Sequence, residues 1–139
     1  MKVLSLDHIH IYCQDIESSA AFYIEHFEAE EVIRNENAHA QTRIFLSCGG
    51  SVIVCSPFPP EISPAVPPEP GDGAISNGYG VAHFGLRVPN VESAVEELKT
   101  KGIEFLAPPV SEQTGLIYAY LKAPDGVIVE LTQYGSKYS

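Results

Sequence analysis

Two histidines, His8 and His83, stand 75 residues apart, and each heads a stretch in which apolar side chains recur at every second place. Sliding the chain against itself by that distance lays Asp7-His8-Ile9-His10-Ile11-Tyr12-Cys13 on Ala82-His83-Phe84-Gly85-Leu86-Arg87-Val88. The same shift lays Ser51-Val52-Ile53-Val54-Cys55 on Gly126-Val127-Ile128-Val129-Glu130. Two distant matches at one offset point to a duplicated unit. A histidine alone on a strand is most often a packed or exposed residue. A pair at equivalent places of a repeat is brought by a pseudo-twofold axis to equivalent positions around one centre. With Glu130 on the last strand, two imidazoles and one carboxylate leave open positions on a first-row ion. That donor set suits Fe(II), Mn(II), Ni(II) or Zn(II).

The elements that must position these groups follow from pattern. Ile9, Ile11 and Cys13 alternate with His8, His10 and Tyr12, and Phe84, Leu86 and Val88 alternate with His83, Gly85 and Arg87, as in strands with one buried face. Asp15 and Asn90 then stand where helix N-caps belong, with Glu17 and Glu92 in the first turns. Ala20, Ala21 and Ile24 are expected to form the apolar stripe of the first helix, and Ala94, Val95 and Leu98 that of the second, which Gly102 ends. Three short strands are expected to follow in each copy. The last two cover about 42–47 and 51–56, then 116–122 and 126–132, separated by Gly49-Gly50 and Pro124-Asp125-Gly126. The expected fold is α+β: two βαβββ modules in tandem, residues 1–56 and 80–139. A Pro-rich linker joins them over 57–79, and the whole forms one domain because neither copy has enough core to stand alone.

Residues two apart on a strand share a face. If the apolar set packs on the helices, the opposite face carries His8, His10 and Tyr12, with Arg43, Phe45, Ile53 and Cys55 from the later strands. The second copy adds His83, Arg87, Tyr118, Tyr120, Ile128, Glu130 and Thr132. Imidazoles, phenols, two of the three arginines and one carboxylate make this a pocket lining rather than a plain solvated face. Arg43 and Arg87 are suited to hold a substrate carboxylate by bidentate hydrogen bonds. Glu130, His10 and Tyr120 are the candidates to move a proton.

Eight basic against 18 acidic residues give a net charge of −10, which argues against nucleic acid and anionic membrane as partners. No apolar run reaches the length of a membrane span, and the N-terminus has no signal-peptide pattern. Cys13, Cys48 and Cys55, an odd number without CxxC spacing, fit a reducing compartment. A cytoplasmic location is the expectation.

The stretches Leu6-Asp7-His8-Ile9, Asp15-Ile16-Glu17-Ser18, Gly80-Val81-Ala82-His83-Phe84-Gly85-Leu86 and Ala123-Pro124-Asp125-Gly126-Val127-Ile128-Val129-Glu130-Leu131 resemble the vicinal oxygen chelate superfamily, which includes glyoxalase I, extradiol dioxygenases, fosfomycin-resistance proteins and bleomycin-binding proteins. The resemblance spans essentially the whole chain, and Pro-Asp-Gly-x-x-x-Glu-Leu is its most specific part. It implies curled sheets around a metal that chelates two neighbouring substrate oxygens, and a homodimer. Carried over by position, His8, His83 and Glu130 match three ligand places. The repeat offset puts Cys55 at the fourth, where glyoxalases and epimerases usually hold Glu or Gln. Tyr120, ten residues before Glu130, matches a site tyrosine of the three-ligand members. The implied activity is lyase or isomerase chemistry through an enolate on a small anionic substrate. The alternatives are an Fe(II) extradiol-type dioxygenase, disfavoured by the lack of a further acid–base histidine between Glu61 and Tyr79, and a metal-free small-molecule binding protein.

Overall fold

The computed structural model describes residues 1–65 and 79–135; most of the expected linker, 66–78, lies outside the described residues. The chain divides into two compact units, Met1–Val66 and Pro67–Ser139. The first runs β1 (His8–Tyr12), α1 (Ile16–Phe27), β2 (Glu30–Glu36), β3 (Thr42–Cys48) and β4 (Ser51–Ser56). The second runs β5 (Phe84–Arg87), α2 (Val91–Thr100), β6 (Val110–Ser111), β7 (Ile117–Lys122) and β8 (Ile128–Gln133), with a 3-10 turn at Pro124–Gly126. Each sheet is mixed and open, in the orders β1-β4-β3-β2 and β5-β8-β7-β6. The first strand of each copy lies parallel to the last, and the remaining pairs are antiparallel. These are the two βαβββ modules expected from the repeat.

Both helices start where their caps predict. The Asp15 carboxylate accepts the N–H groups of Glu17 and Ser18 at 3.0 and 3.1 Å, and Asn90 accepts that of Ser93 at 2.9 Å. In α2 the buried residues are Val91, Val95 and Leu98, which pack on β7 and β8. In α1 the buried stripe is Ser19, Ala20 and Tyr23, flanked by half-buried Ile16 and Phe27. The expected stripe is corrected here: Ala21 is exposed and Ile24 is 42% exposed. Spacing of 16, 20, 23 and 27 keeps the two aromatic rings over β3 and β4, and the larger area of Tyr23 and Phe27 outweighs Ile24, one residue further round. Ile44, Leu46, Ile53 and Cys55 meet this helix from the first sheet; Leu121, Val129 and Leu131 do the same in the second.

The registers revise the repeat. Ile9 pairs with Ile53 and His10 with Val54, whereas Phe84 pairs with Val129 and Gly85 with Glu130. The first strands therefore match at an offset of 75, but the last strands match at 76. The cross-strand pair Phe45–Val54 corresponds to Tyr120–Glu130. The extra residue lies in the second hairpin. Gly49 and Gly50, both at positive φ, make the two-residue turn between Cys48 and Ser51, while three residues, Pro124 to Gly126, make the turn between Ala123 and Val127. Asp125 adopts the left-handed region there, at φ 63°.

Candidate active site

On the face of the second sheet away from α2, the register sets Gly85, Glu130 and Tyr120 in one row across β5, β8 and β7. His83 stands immediately before β5, two residues from Gly85, and so shares their face. Its Nε2 lies 2.9 Å from Glu130 Oε2, with the side chains 24% and 17% exposed. Its Nδ1 is buried and has no hydrogen-bond partner among the described residues. A Cβ at Gly85 would come within 3.7 Å of Glu130 Oε2, so glycine leaves this side of the carboxylate open. The Tyr120 ring sits edge-on to His83 with centroids 5.0 Å apart, and the Tyr118 ring follows at 5.7 Å. Burial, the Glu130 charge and the Tyr118 phenol push the Tyr120 hydroxyl above the ordinary phenol range. No third His, Cys, Asp or Glu completes a ligand group with His83 and Glu130 among the described residues of this unit.

The corresponding face of the first sheet carries His8, His10, Tyr12, Arg43 and Phe45. His8 Nδ1 lies 2.8 Å from Asp7 Oδ2, and the imidazole is half exposed. An Nδ1–H donated to that carboxylate leaves the Nε2 lone pair outward, as a metal ligand requires. His10 Nε2 lies 2.6 Å from Ser56 Oγ, and its ring is 5.0 Å from Tyr12, which in turn meets Phe58 at 4.8 Å. Partial burial, then His8, then Arg43 hold the His10 imidazole below its ordinary value.

The three arginines differ. Arg34 is ion-paired with both Glu17 and Glu31. Arg43 donates Nε–H to Asn35 Oδ1 at 2.8 Å and lies 5.3 Å from the Phe45 centroid. Arg87 lies 4.3 Å over the Tyr134 ring. Among the described residues neither Arg43 nor Arg87 has a carboxylate partner, although the chain is rich in acids.

Cys55 and Ile53 are corrected by the one-residue shift. They pair with Ile44 and Leu46 on the helix side, and Cys55 is fully buried. The neighbouring Cys13 thiol, then burial, push the Cys55 thiol far up, so it is no thiolate ligand. Val54, 5% exposed, occupies the place that corresponds to Glu130. The expected groups therefore fall into two sets. The second unit brings together His83, Glu130, Tyr120 and Tyr118, and the first brings together His8, His10 and Arg43. Sequence reasoning missed Asp7 as a brace on His8, Ser56 as the partner of His10 and Tyr134 as the platform under Arg87. A register of 76 for the last strands would have placed Ser56 on the His10 face.

Residues 5–131 match the model of the Glyoxalase/Bleomycin resistance protein/Dioxygenase superfamily. The chain is 31% identical over 137 residues to the uncharacterized protein YwkD of Bacillus subtilis (strain 168), covering 94% of this chain and 98% of that one. Solved structures of the same fold include the glyoxalase family protein from Enterococcus faecalis, at 22% identity and a TM-score of 0.73 over 93% of this chain and 97% of that one. A mutant of the fosfomycin resistance protein FosX from Listeria monocytogenes, complexed with Mn(II) and 1S,2S-dihydroxypropylphosphonic acid, matches at 18% identity and a TM-score of 0.71 over 99% and 98% of the two chains. Lactoylglutathione lyase from Agrobacterium tumefaciens matches at 20% identity and 0.67, over 96% of each.

Proposed function

Because the chain belongs to the Glyoxalase/Bleomycin resistance protein/Dioxygenase superfamily, we propose that it is a divalent-metal-dependent enzyme whose ion is held by His8, His83 and Glu130. The observation that carries this reading is the His83–Glu130 pair. Two ligand atoms on neighbouring corners of a first-row ion, each bonded at about 2.1 Å, lie about 3 Å apart. Nε2 and Oε2 are 2.9 Å apart on a face lined by Tyr120 and left open at Gly85. The Asp7 brace on His8 supports a ligand role for that imidazole as well. The donor chemistry fits Fe, Mn, Ni or Zn, and the Mn(II) in the FosX structure supports the same class.

When bound, the ion supplies Lewis-acid stabilisation for lyase or isomerase chemistry through an enolate, on a small anionic substrate chelated by two neighbouring oxygens. The chain's own groups do the rest. Arg43 and Arg87, which lie against aromatic rings and have no carboxylate partner among the described residues, bind the substrate's negative group, and Tyr118 lines its path. Glu130, Tyr120 and His10 are placed to hold or move a proton. The reading includes a homodimer working in the cytoplasm.

The test is Mn(II) and Ni(II) binding by calorimetry on protein stripped of metal, with Glu130→Ala and His83→Ala alongside. Micromolar or tighter binding to the native chain, weakened about 100-fold or more in each variant, is the expected result. Equal weak binding by all three overturns the metal reading and leaves a metal-free binding protein. Tyr120, paired with Glu130 across the strands, favours one second reading, an Fe(II) extradiol-type dioxygenase. Oxygen uptake by the iron-loaded protein on a panel of catechols would establish that reading in place of the first.

A further inference from the structure

Ser56 is 2% exposed, yet its side chain lies on the site face, at the end of β4 and diagonal to His10. Its backbone carbonyl accepts the Cys13 N–H at 2.8 Å, which continues the β1–β4 ladder and fixes where the hydroxyl sits. The hydroxyl has two neighbours: His10 Nε2 at 2.6 Å and the Pro57 carbonyl at 3.3 Å. A carbonyl only accepts, so the hydroxyl proton that satisfies it goes to Pro57, and the Ser56 oxygen then accepts from His10. The ring must carry its proton on Nε2. Were the hydroxyl proton turned to Nε2 instead, the Pro57 carbonyl would lose this donor.

We propose that Ser56 is a positioning residue that holds His10 as the Nε2–H tautomer, with the Nδ1 lone pair turned to the substrate as acceptor for a hydroxyl. No hydrogen bond engages Nδ1 among the described residues, and His10 itself is exposed. The duplication sharpens the assignment. Thr132 stands where Ser56 stands, so the hydroxyl is kept in both copies, but the second copy has Gly85 in place of His10. The acceptor therefore belongs to the first copy and the His83–Glu130 pair to the second. The substrate class that follows is a small anion that carries a hydroxyl to donate to this nitrogen. The inference rests on the proposed reading of these faces as the substrate site.

The experiment is long-range proton–nitrogen NMR on the full chain labelled at histidine, near pH 8, with His10 identified by its loss in His10→Gln. The expected result is a pyrrole-type Nε2, a pyridine-type Nδ1 and an observable, slowly exchanging Nε2–H. Ser56→Ala should lose that proton signal and average the two nitrogens, while Ser56→Thr should restore both features. An averaged or pyridine-type Nε2 in the native chain overturns the proposal, as does a signal that Ser56→Ala leaves unchanged. Mn(II) affinity measured on the same samples separates the two ideas. Tight Mn(II) binding with an averaged His10 removes this proposal alone, and a locked His10 without Mn(II) binding removes the metal reading alone.

Discussion

At the scale of single residues, burial acts on the cysteine thiols and on the site phenol alike. Cys13, Cys48 and Cys55 are buried; desolvation raises the Cys48 thiol, and the neighbouring Cys13 thiol and then burial raise that of Cys55. The native chain is therefore expected to resist iodoacetamide at neutral pH and to react at all three cysteines in guanidinium, as read by mass spectrometry. Tyr120 is raised by burial first, and the negative charge of Glu130 beside it adds to that. A phenol whose folded value lies above the unfolded one, about 10, favours the folded state below that pH. That contribution fades as pH rises through the folded value. Absorbance titration of the metal-free chain should show one late phenol that is absent in Tyr120→Phe and moves down in Glu130→Gln. An unchanged titration in Glu130→Gln would show that burial alone sets the shift.

At the scale of elements, caps fix where the helices start. Asp15 closes the N-terminus of α1 with two hydrogen bonds, and Asn90 closes that of α2 with one. Asp15→Ala should cost about 1 kcal/mol in urea unfolding, with the denaturant slope unchanged. The longer hairpin between β7 and β8 does not change which side chains face the site. Phe45 pairs with Val54 across the shorter hairpin just as Tyr120 pairs with Glu130 across the longer one, so the turn takes up the extra residue. Deleting Asp125 gives that hairpin the length of its counterpart and should leave Tyr120 opposite Glu130. The expected outcome is Mn(II) affinity like that of the native chain. A slip of one residue would instead exchange the two faces of the strand and carry Glu130 toward α2, read as lost Mn(II) binding and a lower unfolding temperature.

At the scale of the whole molecule, the net charge is −10, yet among the described residues Arg43 and Arg87 have no acidic partner. Replacing either by Gln should weaken protection of the chain by small anions against thermal unfolding, while Arg34→Gln should not, because Glu17 and Glu31 already neutralise Arg34. Metal gives a second handle. A ligand present at 100 times its dissociation constant stabilises the folded state by about 2.7 kcal/mol, so Mn(II) should raise the unfolding temperature of the native chain but not of His83→Ala. No helix among the described residues is long and apolar enough to cross a membrane.

Much of this was legible from residue order alone. Alternation, capping residues and turn glycines are local signals, so the duplicated βαβββ plan, both N-caps and the facing of His8, His10, His83, Tyr120 and Glu130 could be read without coordinates. The α1 stripe was misjudged because Ile24 and Tyr23 differ by one step around a helix, and only packing on β3 and β4 selects between them. The partner strand decided what lies beside what. A repeat offset taken from one pair of strands does not transfer across a hairpin of different length, so Cys55 was expected on the open face and lies in the core. Ser56, Val54 and the Tyr134 platform under Arg87 likewise depend on pairings between residues far apart in the chain, which hydrogen-bond register sets and local sequence does not encode.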